Sequence, residues 1–211
     1  MESLTQKHDE QSALHSRGIV ALAAAILVLG VVFHSYGRAA WGIDDAYITY
    51  KFAQNLVAGN GLVFNPGERV EGYSNFLYVL LMAPAFLVLA PKDVYFYSLA
   101  INILAALATL AALARFTRNR LTPSWRAVVL ILFAANPHIW CNVFGGMETP
   151  LFLLLQVLIW ITVSEITETS TPRRTATLCL LLVLTLLTRA DGFLTVGIAI
   201  VYLFVRKQYR V

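Results

Sequence analysis

The chain has 211 residues, of which 58% are hydrophobic and 13% are charged, about half the charged share of an ordinary soluble domain. This composition excludes a disordered chain, a collagen and a disulfide scaffold, and it is hard to reconcile with a small soluble core. The net charge of +4 comes from basic residues scattered between apolar stretches, so no nucleic-acid partner is predicted. We therefore expect a membrane protein, with the lipid bilayer as its surroundings.

Apolar runs along the chain predict a bundle of membrane helices. Residues 1–17 form a polar tail, and the run Gly18–Tyr36 is interpreted as an uncleaved anchor because a poor signal-peptidase site follows it. Further runs follow at Phe76–Ala90, Val94–Ala114, Ala127–Trp140, Leu151–Val163 and Ala176–Val205. The predicted fold is all-α, a polytopic transmembrane bundle of about five to seven membrane helices.

Residues 37–75, between the first two runs, are expected to form an extracytoplasmic loop that contains an amphipathic helix. A pair of acids precedes apolar residues at helical spacing, and a glycine follows where the helix would stop: Asp44, Asp45, then Ile48, Phe52, Leu56, then Gly59. Such a helix would rest its apolar face on the lipid boundary and turn the two carboxylates toward water.

Three interpretations of Asp44 and Asp45 remain open. In the first, they cap the helix by satisfying its first N–H groups and favour its positive end. Alternatively, adjacent like charges beside lipid would give a carboxylate suited to accept a proton from a substrate hydroxyl. As a third alternative, Asp44, Asp45, Glu68 and Glu71 would offer oxygen ligands to a divalent cation, although no fixed spacing supports a metal site.

The segment after this helix is rich in glycine and in polar side chains. Its polar residues are predicted to contact a substrate: Glu68, Arg69, Glu71, Tyr73 and Asn75. A plain connecting loop with tight turns explains the same composition.

Glu148 lies in a second polar block, Gly145–Pro150, where Thr149 and Pro150 can begin the next helix. Glu148 either favours that helix N-terminus or faces a cavity as a second acid. The cavity role requires Glu148 on the same side of the membrane as Asp44. We therefore predict that one of the runs between Phe76 and Trp140 does not cross fully.

The last run, Ala176–Val205, is too long for one crossing and contains Arg189 and Asp191 near its middle. It is predicted to be one long helix or two pieces hinged at Gly192. Two residues apart on a helix, the two side chains would point to different sides and could not neutralise each other, so each would need another partner. A lipid phosphate suits Arg189, whereas in an interhelical turn both would be solvated loop residues.

These blocks together resemble a known family. The run Asp44–Phe76 resembles the first extracytoplasmic loop of membrane glycosyltransferases of the GT-C class, most nearly the actinobacterial arabinofuranosyltransferase-like group. The resemblance extends to Gly146–Phe152 and more loosely to Thr188–Gly192, where the family usually has Pro and Glu in place of Ala190 and Asp191.

The resemblance implies transfer of a sugar, with arabinofuranose as the expected one, from a polyprenyl-phosphate donor to a hydroxyl of a glycan or lipid acceptor. Transfer would occur at the outer face of the cell membrane with inversion at the anomeric carbon. Asp44 would be the general base, Asp45 its neighbour, and Glu148 a second acid that orients a substrate. Arg189 and Asp191 would belong to the same substrate site.

Residues 18–205 are accordingly expected to form a GT-C-like module, and the basic tail 206–211 to mark a truncation point. The alternative is a non-catalytic or truncated membrane protein that binds lipid-linked glycans or supports a transferase complex. If every run crosses, the positive-inside rule mildly favours the reverse of the expected orientation.

Overall fold

The computed structural model describes residues 43–68 and 70–208, together with several helical positions between 18 and 29. Most of the predicted first crossing, Gly18–Tyr36, and the predicted site residue Arg69 lie outside the described residues. Every regular element in the described part is a helix, which confirms the all-α prediction.

The helices between residues 44 and 208 are short to medium in length. Their bounds are α1 Asp44–Val57, α2 Phe76–Met82, α3 Ala85–Val88, a 3₁₀ turn Pro91–Asp93, α4 Val94–Thr117, α5 Pro123–Ala135, α6 Pro137–Gly145, α7 Thr149–Glu168, α8 Pro172–Thr188 and α9 Gly192–Gln208. The chain divides into two compact units, Met1–Ala40 with Leu107–Cys141 and Trp41–Ala106 with Asn142–Val211. The second unit contains every candidate site residue.

Two of the described helices are long and apolar enough to cross a membrane, Pro91–Thr117 and Thr149–Glu168. The pair α5 and α6 would add a third if it counts as one span, although it bends by 44° where Asn136 precedes Pro137. The run predicted at Phe76–Ala90 is not one helix, because it breaks at Pro84 into α2 and α3. Membrane-capable helices are thus present, and the number five to seven stays a prediction.

The last predicted run is two helices, as one of the two alternatives proposed. Helix α8 ends at Thr188, α9 begins at Gly192, and residues 189–191 connect them. A side chain at Gly192 would collide with Thr185, since an added Cβ would lie 2.9 Å from its carbonyl oxygen. Helix α9 can therefore pack this closely on α8 only with glycine at its start.

Helix α1 forms as predicted and is followed by Gly59, which has a φ of +78°. Its packing differs from the expectation of an apolar face resting on lipid. Phe52 is fully buried within the protein, where its ring lies 5.0 Å from that of Tyr73. Small side chains at Ala46 and Ala53 are also fully buried and let the helix backbone approach its neighbours. The reason is that α1 packs against α2 and α3 and so belongs to the core of its unit.

A second core holds α7, α8 and α9 together. Its buried residues are Leu155, Ile159, Val163, Leu178, Leu181 and Ala199. Pro150 and Pro172 stand in the first turns of α7 and α8, where a missing N–H costs nothing. The predicted start of a helix at Thr149–Pro150 is confirmed. This core holds α7 in position, and with it the preceding residue, Glu148.

Candidate active site

The start of α1 is bound to the end of α6. The amide of Ile43 donates to the carbonyl of Gly145 at 2.9 Å. The next residue, Gly146, has a φ of +75°, and an added Cβ would lie 2.5 Å from the hydroxyl of Tyr50. Only glycine satisfies both the backbone conformation and the close approach. The first turn of α1, with Asp44 and Asp45, is thus held next to the segment that leads to Glu148.

Buried tyrosines hold the carbonyl of Gly146. The hydroxyl of Tyr50 donates to it at 2.9 Å and that of Tyr78 at 3.2 Å. Tyr50 also forms a hydrogen bond with the hydroxyl of Ser98, which is fully buried in α4. Burial raises the pKa of Tyr50 above its ordinary value, opposed by the hydrogen bond with Ser98. The phenol is therefore a neutral donor at physiological pH.

Side chains of α4 donate hydrogen bonds to the backbone carbonyls of the two residues before Gly145. Asn102 donates through Nδ2 to the carbonyl of Val143 at 3.2 Å, and Tyr95 donates to that of Phe144 at 3.0 Å. Helix C-termini leave their last carbonyls without partners in the helix. Here side chains from elsewhere in the unit supply the donors, so the end of α6 and the loop to Glu148 are fixed in place.

Glu148 is 3% exposed and is the residue just before α7, but its side chain makes no capping hydrogen bond. Its Oε2 accepts a hydrogen bond from Asn75 Nδ2 at 2.8 Å. Its Oε1 pairs with Arg189 Nη1 at 3.2 Å. The carboxylate, which stands directly before α7, thus also joins residues from the loop and from the α8–α9 connection.

Asn75 links Glu148 to α1. Its Nδ2 donates to Thr49 Oγ1 at 2.9 Å as well as to Glu148. A carboxylate can only accept, so the nitrogen end of the amide must face Glu148. Both hydrogens of the amide are then in use, whereas the buried Oδ1 has no hydrogen-bond partner in the described part of the chain.

Arg189 pairs with Asp191 as well as with Glu148. Its Nε lies 3.0 Å from Asp191 Oδ1 and its Nη2 lies 3.3 Å from Oδ2. The pKa of Arg189 is raised by the hydrogen bond with Asp191, opposed by partial burial and supported by the charges of Asp191 and Glu148. The guanidinium also lies 5.5 Å from the centre of the Phe152 ring.

The prediction that Arg189 and Asp191 cannot neutralise each other is wrong. It assumed a helix, but Arg189 has extended backbone with φ −153° and ψ 140°. Ala190 and Asp191 then form a turn, in which the amide of Gly192 donates to the carbonyl of Arg189, and this turn brings the side chain of Asp191 to the guanidinium. The two residues lie in an interhelical connection, as the other alternative stated, and form an ion pair there.

We refer to Thr49, Asn75, Glu148, Arg189 and Asp191 as the carboxylate–amide network. It brings together two residues of the run Asp44–Phe76, one of Gly145–Pro150 and two of Thr188–Gly192. Thr49 was not predicted, and neither were the three polar side chains of α4, Tyr95, Ser98 and Asn102. Their spacing of three and four residues places them on one face of an apolar helix. This spacing of polar residues was the sequence signal from which these three side chains could have been predicted.

Asp44 and Asp45 occupy the first turn of α1, and both are exposed. The residue that caps the helix is Ile43, and no side-chain capping bond forms, so the capping interpretation is not supported. Within the described residues, neither carboxylate has a hydrogen bond or ion pair. Asp45 precedes Thr49 by one helical turn and shares its face, whereas Asp44 lies about 100° further round the helix.

The other predicted loop residues do not join the network. Glu68 is exposed and accepts a hydrogen bond from Asn65 at 3.0 Å, and Glu71 is exposed. Tyr73 packs its ring against Phe52 in the core. In the part that the structure describes, no group of three His, Cys, Asp or Glu side chains could hold a metal ion. The divalent-cation alternative thus gains no support there.

Two curated proteins are similar to part of the chain. A terminal beta-(1->2)-arabinofuranosyltransferase of Mycobacterium tuberculosis is 29% identical over 150 residues, and the match covers 67% of this chain and 24% of that protein. A protein of the same name from Corynebacterium glutamicum is 50% identical over 38 residues, covering 18% of this chain and 6% of that protein. The predicted likeness to arabinofuranosyltransferases is confirmed for the part that these matches cover.

The matches span a quarter or less of the curated relatives' own length. No protein-family model matches the chain. No solved structure matches it either.

Proposed function

We propose that the chain carries the catalytic region of a membrane glycosyltransferase that moves arabinofuranose from a polyprenyl-phosphate donor to a hydroxyl of a glycan or lipid acceptor. Transfer would take place at the extracytoplasmic face of a multi-pass membrane protein. The relatives' names supply the sugar and the reaction class. The polyprenyl-phosphate donor, the side of the membrane and the inverting course come from the GT-C resemblance.

In the proposed reaction, the acceptor oxygen attacks the anomeric carbon of the donor sugar. The new carbon–oxygen bond forms as the bond from that carbon to the phosphate oxygen breaks. Asp44 takes the proton of the acceptor hydroxyl, and the phosphate leaves with the bonding electron pair. A single displacement of this kind inverts the anomeric carbon.

The residues of the network suit the remaining requirements. A phosphate is a good leaving group, so the protein has chiefly to supply a base, a cation near the phosphate and aligned substrates. Arg189 is the cation, and its side chain is 33% exposed. Asp45 shares a helix face with Thr49, which suits a role in orienting the donor sugar.

One observation carries the proposal. Glu148 is bound at once to Asn75 from the loop and to Arg189 from the α8–α9 connection. Three blocks that resemble one enzyme family in sequence therefore meet in one unit of the structure, next to the helix that begins with two exposed carboxylates. A chain that used these blocks only as connecting loops would not need a buried carboxylate to join them.

The test is sugar transfer by the purified full chain in lipid nanodiscs, with a polyprenyl-phosphate arabinofuranose donor and an arabinan oligosaccharide acceptor. Asp44→Asn should keep donor binding and lose transfer by about 10²–10⁴-fold. Asp45→Asn should weaken donor binding instead. Glu71→Gln, which removes another exposed acid of the same loop, is the matched control and should retain activity. Full transfer by the Asp44→Asn protein would refute Asp44 as the base.

The alternative stated from the sequence, a non-catalytic module that binds the lipid-linked sugar, is tested by the same experiment. Donor binding without any transfer by the unmodified chain would support this candidate. Donor binding is therefore measured in parallel with transfer.

A further inference from the structure

The amide oxygen of Asn75 is a buried acceptor without a partner in the described part of the chain. Asn75 is 6% exposed, and both hydrogens of its Nδ2 are used by Thr49 and Glu148. Turning the amide over would place its oxygen against the carboxylate of Glu148, so the orientation is determined. Buried polar atoms are almost always paired in native proteins, which makes this oxygen an exception to be explained.

The backbone around Asn75 offers no donor for this oxygen. Asn75 precedes α2, and asparagine at such a position usually accepts a hydrogen bond from the first helical amides through its side chain. Here the amides of Tyr78 and Val79 donate to the backbone carbonyl of Asn75, at 2.8 and 3.1 Å. The side chain makes no capping bond. Thr49 and Glu148 therefore hold Oδ1 away from its usual local partners.

The chemistry of the missing partner follows from the atom and its surroundings. An amide oxygen requires a donor, and a phosphate group that has lost its protons provides none. Glu148, which is bound to the same amide, disfavours any anion at this point. Its carboxylate can, however, accept a hydrogen bond from a hydroxyl group. A neutral hydroxyl group satisfies these conditions, as an ordered water does, and a sugar that displaces such a water carries several hydroxyls.

We propose that Asn75 Oδ1 accepts a hydrogen bond from a hydroxyl of the donor sugar while Arg189 binds the donor phosphate. This inference rests on the proposed function and assigns one atom of the site to sugar recognition. It makes Asn75 a specificity-determining residue for the sugar, whereas Asp44 acts on the acceptor.

Access to the oxygen is coupled to Arg189. The Glu148 side chain is 4% exposed and the Arg189 side chain 33%, so the guanidinium is the half of the pair that a ligand meets first. Arg189 Nη1 binds Oε1 of Glu148, and Oε2 of the same carboxylate binds Asn75, so a phosphate held by the guanidinium would bring its sugar toward the Asn75 end of the network.

The experiment measures binding of four probes to the full chain in nanodiscs. The probes are polyprenyl-phosphate arabinofuranose and its three analogues that lack the 2-, 3- or 5-hydroxyl. One deoxy analogue should bind the wild-type protein about tenfold more weakly than the parent, as the loss of one buried hydrogen bond predicts. In Asn75→Ala, the parent and that analogue should bind alike.

The matched control is Asn65→Ala, which removes an exposed asparagine of the same loop and should discriminate as the wild type does. If Asn75→Ala does not fold, Asn75→Ser takes its place, because it lacks Oδ1 but retains a hydroxyl donor for Glu148. Equal binding of all four probes to the wild type overturns the inference. It is also overturned if the Asn75 variants still bind the deoxy analogue more weakly than the parent by the same factor as the wild type. If neither the parent nor sugar-free polyprenyl phosphate binds the wild type, the proposed function itself fails, and this inference with it.

Discussion

Glu148 and Arg189 form an ion pair across 41 residues of sequence, with Oε1 and Nη1 3.2 Å apart. The carboxylate is buried, but the guanidinium reaches the surface and is also held by Asp191. The guanidinium is therefore shared between two carboxylates, of which Glu148 is buried and Asp191 is more exposed than the arginine itself. Under the proposed function, a phosphate would compete with Asp191 for the exposed side of Arg189.

Arg189→Lys is expected to weaken phosphate binding while the fold is kept. A lysine retains the charge but cannot bind both oxygens of Asp191 and one of Glu148 with the fixed geometry of a guanidinium. We expect about a tenfold loss in affinity for sugar-free polyprenyl phosphate, measured by titration in nanodiscs. Arg173→Lys, at an exposed position in the first turn of α8, is the control. Equal affinity of the Arg189→Lys and wild-type proteins would contradict a phosphate role for Arg189.

Glu148→Ala should destabilise the protein more than Glu148→Gln does. Alanine leaves one hydrogen of the buried Asn75 amide without an acceptor, at a cost of about 1–3 kcal/mol. Glutamine can still offer Asn75 an oxygen. Thermal unfolding in detergent, followed by circular dichroism, compares the two variants. Identical unfolding temperatures would mean that the bond from Asn75 contributes nothing measurable.

Gly146→Ala should unfold at a much lower temperature than the wild type. The added Cβ would stand 2.5 Å from the Tyr50 hydroxyl at a positive φ, and Tyr50 cannot move aside without losing the Gly146 carbonyl. Gly197→Ala is the matched control, because nothing lies within 4 Å of its added Cβ. That residue is inside α9, where alanine favours the helix by about 1 kcal/mol. A Gly146→Ala protein as stable as the control would refute this account of the loop.

Tyr50 should make the protein less stable in alkali. A phenol in the unfolded chain titrates near pH 10, and burial raises the pKa of Tyr50 above that in the folded state. The stabilising contribution is complete below about pH 10 and is lost as the pH rises further, because the unfolded state gives up its proton first. Unfolding free energies between pH 8 and 11 should therefore fall less steeply in Tyr50→Phe. The control is Tyr202→Phe, which removes an exposed hydroxyl from α9, away from Tyr50, and should follow the wild type.

Sequence periodicity and turn residues sufficed to predict α1 and the start of α7, and they gave the division of the last run as one of two alternatives. Each depends on neighbouring residues: an apolar spacing, a Thr–Pro pair, or charges that interrupt a hydrophobic stretch. Asn75, Glu148 and Arg189 were also among the predicted residues. Asn75 and Glu148 were noted for the polar composition of their loops, and Arg189 because an ionisable group within an apolar run is costly.

The partners of these residues could not be predicted in the same way. Glu148 binds Asn75 from 73 residues away, and no local pattern indicates which of several loop polar groups would reach it. Glu68 and Glu71 have the same chemistry as Glu148 but are exposed, whereas Asn75, the residue before α2, is buried and bound to Glu148. The ion pair of Arg189 with Asp191 depended on one extended residue between two helices, which spacing alone does not reveal.

The side chains of α4 that donate to the last carbonyls of α6 also limit which insertions and substitutions the fold can tolerate. One residue inserted between Tyr95 and Asn102 would turn the rest of the helix by about 100° and withdraw Asn102 from the carbonyl of Val143. Substitutions on the outer face of the same helix, at Leu104 for example, leave that register intact. Insertions and deletions between residues 95 and 102 should consequently be as damaging as loss of a site residue, although this stretch contains none of them.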